Sequence, residues 1–268
     1  MILRGRPIAP GRARGRVLAS RTPVSFLGGI DARTGRVLDP RSDVCGQRLR
    51  GRVFTFPHGK GSTVGSYVLY GLAKRRVGPA AIVAERAEAI VTVGAILGEI
   101  PMVDRVDTAA LRTGDAAVVD GTHGTVSVPE VRERGVVSAF LWNRGRILFV
   151  RRSRRVGSFR GRWSGVSGYL EGSEEPLARA RQEIAEETGI RRARLLGAGR
   201  PVWARHGDLA FRVHPFLLEV ASRAVHLDWE NVEARWLPPQ SVDALNTVPR
   251  LGEVLASALD ARGPRRGA

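Results

Sequence analysis

Cysteine is nearly absent: Cys45 is the only one in 268 residues. A single thiol excludes an internal disulfide. It also excludes an iron–sulfur cluster held by this chain alone, because such clusters take several thiolate ligands. Lysine is almost as scarce, with Lys60 and Lys74 the only two among 43 Lys and Arg side chains. Aromatic residues make up 6%, and they do not interleave with the basic residues as a base-stacking platform would require. Long apolar runs are missing too. Nothing approaches the roughly 18 residues of a membrane span, and the basic start MILRGRPIAPGRARGR leads into no signal-like apolar segment. These absences predict a soluble cytoplasmic protein with no membrane partner.

What is abundant is arginine. The formal net charge of +17 invites a nucleic-acid reading, since basic side chains release counterions from phosphates. The charge is scattered through both halves, however, and a preference for arginine codons explains it equally well, so the expectation is against a nucleic-acid partner. Its densest cluster, NRGRILFVRRSRRVGSFRGR (143–162), is placed to meet a phosphorylated small molecule. A hydrophobic fraction of 43% and 32 glycines describe a globular chain with many turns, long enough for two ordinary domains.

The hydrophobic pattern changes at PEVRERG (129–135), a polar stretch read as the linker between a domain at 1–128 and a domain at 136–268. Before it, RVFTFP, AAIVAE and IPMVD read as buried strands separated by helical patterns at 62–75 and about 86–98, an α/β arrangement. GDAAVVDGTHGTVSV reads as a closing hairpin. After the linker, VVSAFLW and RILFVRR pair across the turn Asn143 to Gly145. Strands near FRVHPFLLEV and EARWLP and a helix near 249–261 follow.

Between them lies GYLEGSEEPLARARQEIAEETGI (168–190), six glutamates in a strongly basic chain. Ser173 is the expected N-cap, Pro176 suits a first turn, and Gly189 the C-terminal stop. Leu177, Ala180 and Ile184 form an inward stripe, while Glu183, Glu186 and Glu187 stand at i, i+3 and i+4 on an adjoining one. Crowded carboxylates repel unless a hard cation accepts their oxygens, and Mg2+ favours a few carboxylates together with substrate phosphate.

This segment resembles the Nudix box, G-x5-E-x7-R-E-U-x-E-E-x-G-U with U aliphatic. Gly168, Glu174, Glu183, Ile184, Glu186, Glu187, Gly189 and Ile190 fall on the pattern; Gln182 stands where the family has arginine. The flanks GSFRGRWSGVSGYLEG and LDWENVEARWLPPQ are similar to Nudix domains of archaeal type. The resemblance implies a Nudix α/β/α sandwich that hydrolyses a diphosphate linked to another moiety, of nucleotide or isoprenoid type. It implies Mg2+ or Mn2+ on Glu183, Glu186 and Glu187, with Glu186 or Glu187 as general base and Glu171 and Glu174 farther out. Trp163, Phe159 and Trp203 are candidates for base stacking, with core packing the more ordinary role for each. The rival reading, prompted by Gln182, is a non-catalytic nucleotide-sensing module.

In the first half, FPHGKGSTVGSYVLY (56–70) lacks the G-x-x-x-x-G-K-[ST] spacing of a P-loop, because Gly61 separates Lys60 from Ser62. What remains is a glycine-rich turn after a strand, with Ser62 and Thr63 opening a helix whose apolar stripe is Val64, Val68 and Leu72. By local sequence Ser62 is an ordinary N-cap. Together with PVSFLGGIDARTGRVLDP (23–40), PAAIVAERAEAIVTVGAILGEIPMVD (79–104) and GDAAVVDGTHGTVSV, this segment resembles the small subunit of aconitase-X-type enzymes, a swivelling β/β/α domain. The archaeal members serve phosphomevalonate dehydratase, which converts 5-phosphomevalonate to trans-anhydromevalonate 5-phosphate and water in a modified mevalonate pathway. The resemblance implies Ser62 as proton acceptor, Gly61 and Thr63 as substrate-binding residues, with Lys60 and Ser66 assisting. It also implies a large-subunit partner that carries the iron–sulfur cluster. The chain is thus expected to be a fusion of two α/β domains, each acting on small phosphorylated substrates, and the fusion suggests a shared place in isoprenoid metabolism.

Overall fold

A computed structural model describes residues 1–263; residues 264–268, the end of the expected second domain, lie outside the described residues. The chain divides into two compact units, Met1–Arg132 with Gly207–Ala210, and Glu133–His206 with Phe211 onward.

The first unit contains strands Ile2–Arg4 (β1), Arg6–Ala9 (β2), Arg12–Ala19 (β3), Val24–Ser25 (β4) and Val53–Lys60 (β5). Helix Gly65–Lys74 (α1), strand Ala81–Arg86 (β6), helix Ala89–Leu97 (α2) and strands Met102–Asp104 (β7), Ala116–Asp120 (β8) and Thr125–Ser127 (β9) follow. The sheet runs β1-β9-β8-β3-β5-β6-β7-β2, with β4 beside β5. Its centre, β3 to β7, is parallel, and antiparallel strands flank it. Central parallel strands are covered on both faces, which is why VFTF and AIVA are unbroken apolar runs rather than alternating ones.

Leu69 and Leu72 of α1 and Val91 and Ala95 of α2 pack with Phe54, Phe56 and Ile82 in one core. A Cβ at Gly94 would lie 2.9 Å from Leu69 Cβ, so the missing side chain is what lets the two helices close on each other. The helix expected at 62–75 begins only at Gly65. Its expected stripe is also corrected: Val64 precedes the helix and is exposed, and the inward face is Gly65, Ser66, Leu69 and Leu72.

The second unit contains strands Arg132–Asn143 (β10), Arg146–Arg152 (β11), Trp163–Ser164 (β12) and Val166–Tyr169 (β13), then helix Pro176–Thr188 (α3). Strands Arg194–Ala198 (β14), Val202–His206 (β15), Leu209–Glu219 (β16) and Asn231–Leu237 (β17) lead to helix Leu251–Asp260 (α4). Arg132 to Gly135, expected as linker, are already strand. The charges of RER lie on its exposed start and hid the strand pattern. Arg144 and Gly145 join β10 to β11 with positive φ angles of 45° and 84°, the geometry of a two-residue hairpin turn.

The sheet order is β12-β11-β10-β16-β14, with β13 on β10, β15 on β16 and β17 on β11. Alternation along these strands feeds two cores. Val137, Ala139, Leu141, Leu148, Val150 and Leu218 face Ala180 and Ile184 of α3. Phe140, Ile147, Phe149 and Leu217 face Leu251, Val254, Leu255 and Ala258 of α4. A helix on each face of one sheet is an α/β/α sandwich. Trp163 belongs to the α4-side core.

Candidate active sites

The glutamate helix starts later than its sequence signal. Its N-cap is Glu175, whose carboxylate accepts the Ala178 amide at 2.7 Å, with Pro176 as first residue. Ser173 is therefore not the cap: proline occupies the first helical position, where its missing N–H costs nothing, and this places the cap immediately before it. Gly189 ends the helix in the left-handed region at φ 73°.

Helical spacing puts Glu183 and Glu187 one turn apart on the inner side, 5% and 3% exposed, while Glu186 lies on the outer flank. Room for Glu183 comes from Gly168, since a Cβ there would fall 1.7 Å from Glu183 Oε1. Each carboxylate has a partner. Arg179, one turn earlier, forms an ion pair with Glu183. Glu187 accepts the Ser167 amide at 3.0 Å and Asn231 Nδ2 at 2.6 Å. Gln182 Nε2 donates to Glu186 at 2.8 Å. Glu171 and Glu174 are exposed and close a local turn through the Glu171 amide.

The electrostatics follow from burial. Desolvation pushes the Glu187 carboxyl up to about 8 against its two hydrogen bonds, and Glu183 and Glu230 push the same way. Burial raises Glu183 as well; Arg179 opposes it, and Glu186 and Glu230 add to it. Glu230 is raised by burial and by Asp228. Five carboxylates, Glu183, Glu186, Glu187, Asp228 and Glu230, thus act on one another inside one unit.

Among the described residues, no three His, Cys, Asp or Glu side chains meet closely enough to hold an ion as they stand. The expected convergence of Glu183, Glu186 and Glu187 is not preassembled; each carboxylate has a partner of its own, Arg179, Gln182 and Asn231 respectively. The residues nevertheless fit a hard divalent cation in kind. All donors are oxygens, and two are buried carboxylates whose charge is unfavourable without compensation.

Beside Glu183 lies a cavity of about 320 Å3 lined by Arg152, Phe159, Ser164, Tyr169, Phe211 and Trp229 among others. Ser164 Oγ is buried and has no hydrogen-bond partner among the described residues. Phe159 meets Phe211 edge-on at 6.2 Å, and Arg152 donates to Ser158 O and Ser167 Oγ at the same wall. Arg151, Arg152, Arg154, Arg155 and Trp229 line an adjoining open groove. Phe159 thus lines the cavity; Trp203 does not. Asn231, Glu230, Ser164 and Arg152 reach the site from outside the motif. Asn231 opens the strand NVEARWL and Glu230 precedes it, and no local sequence pattern singles out either.

In the first unit, Lys60 ends β5, Gly61 turns with φ 103°, and Ser62, Thr63 and Val64 form an exposed turn before α1. A Cβ at Gly61 would lie 2.9 Å from Ser25 Oγ. The Val64 amide donates to Ser62 Oγ at 3.3 Å, and the Gly65 amide donates to the Ser62 carbonyl at 2.9 Å. The cap of α1 is Val64, with no side-chain bond, so Ser62 is not its N-cap. Ser66 Oγ is committed to the Thr63 carbonyl at 2.8 Å, and Lys60 Nζ lies 3.8 Å from Asp39. Leu27, Val64 and Tyr67 are exposed near this turn, at 44%, 49% and 70%.

Residues 2–128 match the family model described as the aconitase X swivel domain, and residues 132–258 match the NUDIX domain. The phosphomevalonate dehydratase small subunit of Pyrococcus furiosus is 52% identical over 128 residues, which are 48% of this chain and 96% of that protein. The aconitase X structure from Thermococcus kodakaraensis shares 51% identity over 48% of this chain and 98% of that one, with a TM-score of 0.47. A MutT protein from Methanosarcina mazei Go1 shares 21% identity over 49% of this chain and 96% of that one, with a TM-score of 0.42.

Proposed function

Since this chain belongs to the aconitase X swivel-domain family in its first half and carries a NUDIX domain in its second, we propose that it joins a dehydratase small subunit to a metal-dependent diphosphate hydrolase. We assign the first domain to 1–128 and start the second with the strand at Arg132, ahead of the expected 136.

For the first half, the substrate is 5-phosphomevalonate and the product trans-anhydromevalonate 5-phosphate. The observation that carries this reading is 52% identity across nearly the whole length of a small subunit of that enzyme. Ser62 takes the proton. Its hydroxyl is exposed and already accepts the Val64 amide, so an alkoxide there has a backbone donor in place. Gly61 and Thr63 contact substrate. The chain has one cysteine, so an iron–sulfur cluster would be held by a large subunit and would supply the Lewis acid that the elimination needs. The exposed Leu27, Val64 and Tyr67 around the serine are suited to that subunit's surface. Mixing the chain with an aconitase-X-type large subunit tests this: dehydration should require both polypeptides.

For the second half, the carrying observation is the pair of buried carboxylates one helical turn apart, Glu183 and Glu187, of which Glu183 lines the 320 Å3 cavity. Glu183, Glu186 and Glu187 would hold Mg2+ or Mn2+, which when bound polarises the diphosphate and makes water a better nucleophile. Asn231 and the Ser167 amide fix the Glu187 carboxylate, Arg152 supplies positive charge for phosphate oxygens, and Glu186 or Glu187 accepts the proton of water. The other moiety occupies the cavity. Its walls offer Phe159, Tyr169 and Phe211 for stacking and an unpartnered Ser164 hydroxyl. An isoprenyl chain would leave that hydroxyl unsatisfied, whereas the polar edge of a nucleobase would meet it, so the substrate class is a nucleoside diphosphate derivative.

Assays of the purified chain with Mg2+ should show hydrolysis of nucleoside diphosphate compounds and none of isoprenyl diphosphates; the reverse preference would defeat the assignment. Gln182 in place of the family arginine favours a second reading, a nucleotide sensor. That reading predicts binding without turnover.

A further inference from the structure

Gln182 leaves the acidic helix without the guanidinium that the Nudix pattern places immediately before Glu183. Its neutral amide reaches Glu186, not Glu183. Five interacting carboxylates in one unit, two of them buried, still need a countercharge near them, because burying an unpaired charge is strongly unfavourable. Arg179 is in position to provide it. It lies one helical turn before Glu183, forms the ion pair with it, and its side chain is 21% exposed against 7% for Glu183. It lines the cavity beside Glu230. Its positive charge acts on both Glu183 and Glu230. Its Nε is buried with no hydrogen-bond partner among the described residues, so the guanidinium is not saturated by the protein around it.

We propose that Arg179 is the positioning residue of this hydrolase site, taking over from the missing arginine at position 182 by holding Glu183 turned toward the cavity in the metal-free protein. The inference rests on reading the second half as a metal-dependent hydrolase. A displaced arginine is a physical reason for a chain to tolerate Gln182: the charge has moved three residues along the helix while remaining on a turn that reaches Glu183. Arg179 stands outside the Nudix pattern, so its effect is separable from that of the box residues.

The test uses the full chain and Mn2+ alone, with uptake followed by titration calorimetry and folding checked by circular dichroism. Arg179→Met keeps the apolar stem, so packing is preserved while the charge is lost. It should weaken Mn2+ binding about 10- to 100-fold, the range for groups that orient metal ligands. Restoring the charge by Arg179→Met with Gln182→Arg should recover most of that loss, and Arg179→Lys should lie within a few fold of the parent. If Arg179→Met fails to fold, Arg179→Lys alone and Gln182→Arg alone decide: a parent-like affinity in the first and an unchanged or tighter one in the second support the assignment. Parent-like Mn2+ affinity in Arg179→Met, or no recovery in the double variant, overturns it. A parent chain that takes up no Mn2+ overturns the hydrolase reading itself, and with it this assignment.

Discussion

The two proposed centres of this chain are built in opposite ways. In the second unit, Glu183 and Glu187 are buried and held by Arg179, Ser167 and Asn231, and Glu183 borders a cavity of the same unit. In the first unit, Ser62 stands on an exposed turn, and its hydroxyl accepts the amide two residues on. The first-named pair of carboxylates has its partners within its own unit; the proposed proton acceptor Ser62 is exposed, with a backbone amide on its hydroxyl. The number of buried partners around a reactive group thus distinguishes a self-sufficient site from half of one.

The sharpest way to break that contrast is to remove each reactive group and watch both activities. Ser62→Ala should lower dehydration by the reconstituted complex about 10^2- to 10^4-fold, the usual contribution of a positioned proton acceptor. Diphosphate hydrolysis by the same protein should not change. Loss of both activities would mean that the centres are not independent. Gly168→Ala should do the converse. Its Cβ would overlap Glu183 Oε1, Cδ and Cγ at 1.7, 2.2 and 2.6 Å, forcing the carboxylate out of place. A displacement on that scale lowers kcat on the order of 10^2-fold, and dehydration should continue. Wild-type hydrolysis in Gly168→Ala would show that Glu183 is not needed where it stands.

A smaller effect sharpens the idea that buried partners make a centre self-sufficient. Asn231→Ala removes the 2.6 Å donor to Glu187 without touching a box residue. Mn2+ affinity should fall by roughly 10- to 100-fold, with the far-ultraviolet spectrum unchanged. Equal affinity would reduce Asn231 to strand packing.

How much of this was legible beforehand differs between the two centres for a physical reason. The box helix is local: its period, its Gly189 stop and its acid spacing all lie within one stretch, and the helix appears as Pro176–Thr188. Even there, Ser173 drew the cap two residues early, although Pro176 fixes the first helical position and so identifies Glu175. The groups that hold the acids were invisible. Asn231 comes from β17, Ser167 from β13 and Glu230 from the loop before β17, and such long-range pairings leave no periodic trace. Arg179 was in plain sight as an i,i+4 neighbour, but its burial was not. Strands β1 to β3 escaped because arginines occupy their exposed positions and mask the alternation. Val64 was mistaken for an inward residue since the turn Ser62–Val64 was counted as helix, which rotated the assumed face.

The weakest expected signal is also the most diagnostic of burial. Glu187 binds its proton more tightly in the folded protein, up to about 8 against an ordinary 4.5, because desolvation disfavours the carboxylate. A raised folded-state value means that the native state holds a proton which the unfolded chain has released. The stability it contributes is therefore complete below about pH 4.5 and is lost as pH rises toward about 8. Glu183 and Glu230, also raised, act with the same sign. Thermal melts in a chelator should show the midpoint falling from pH 5 to pH 9, and Glu187→Gln should flatten part of that fall because its amide carries no charge to desolvate. Parallel curves for the two proteins would mean that Glu187 is solvated in the metal-free state, and the contrast between a buried centre and an exposed one would then lose its basis.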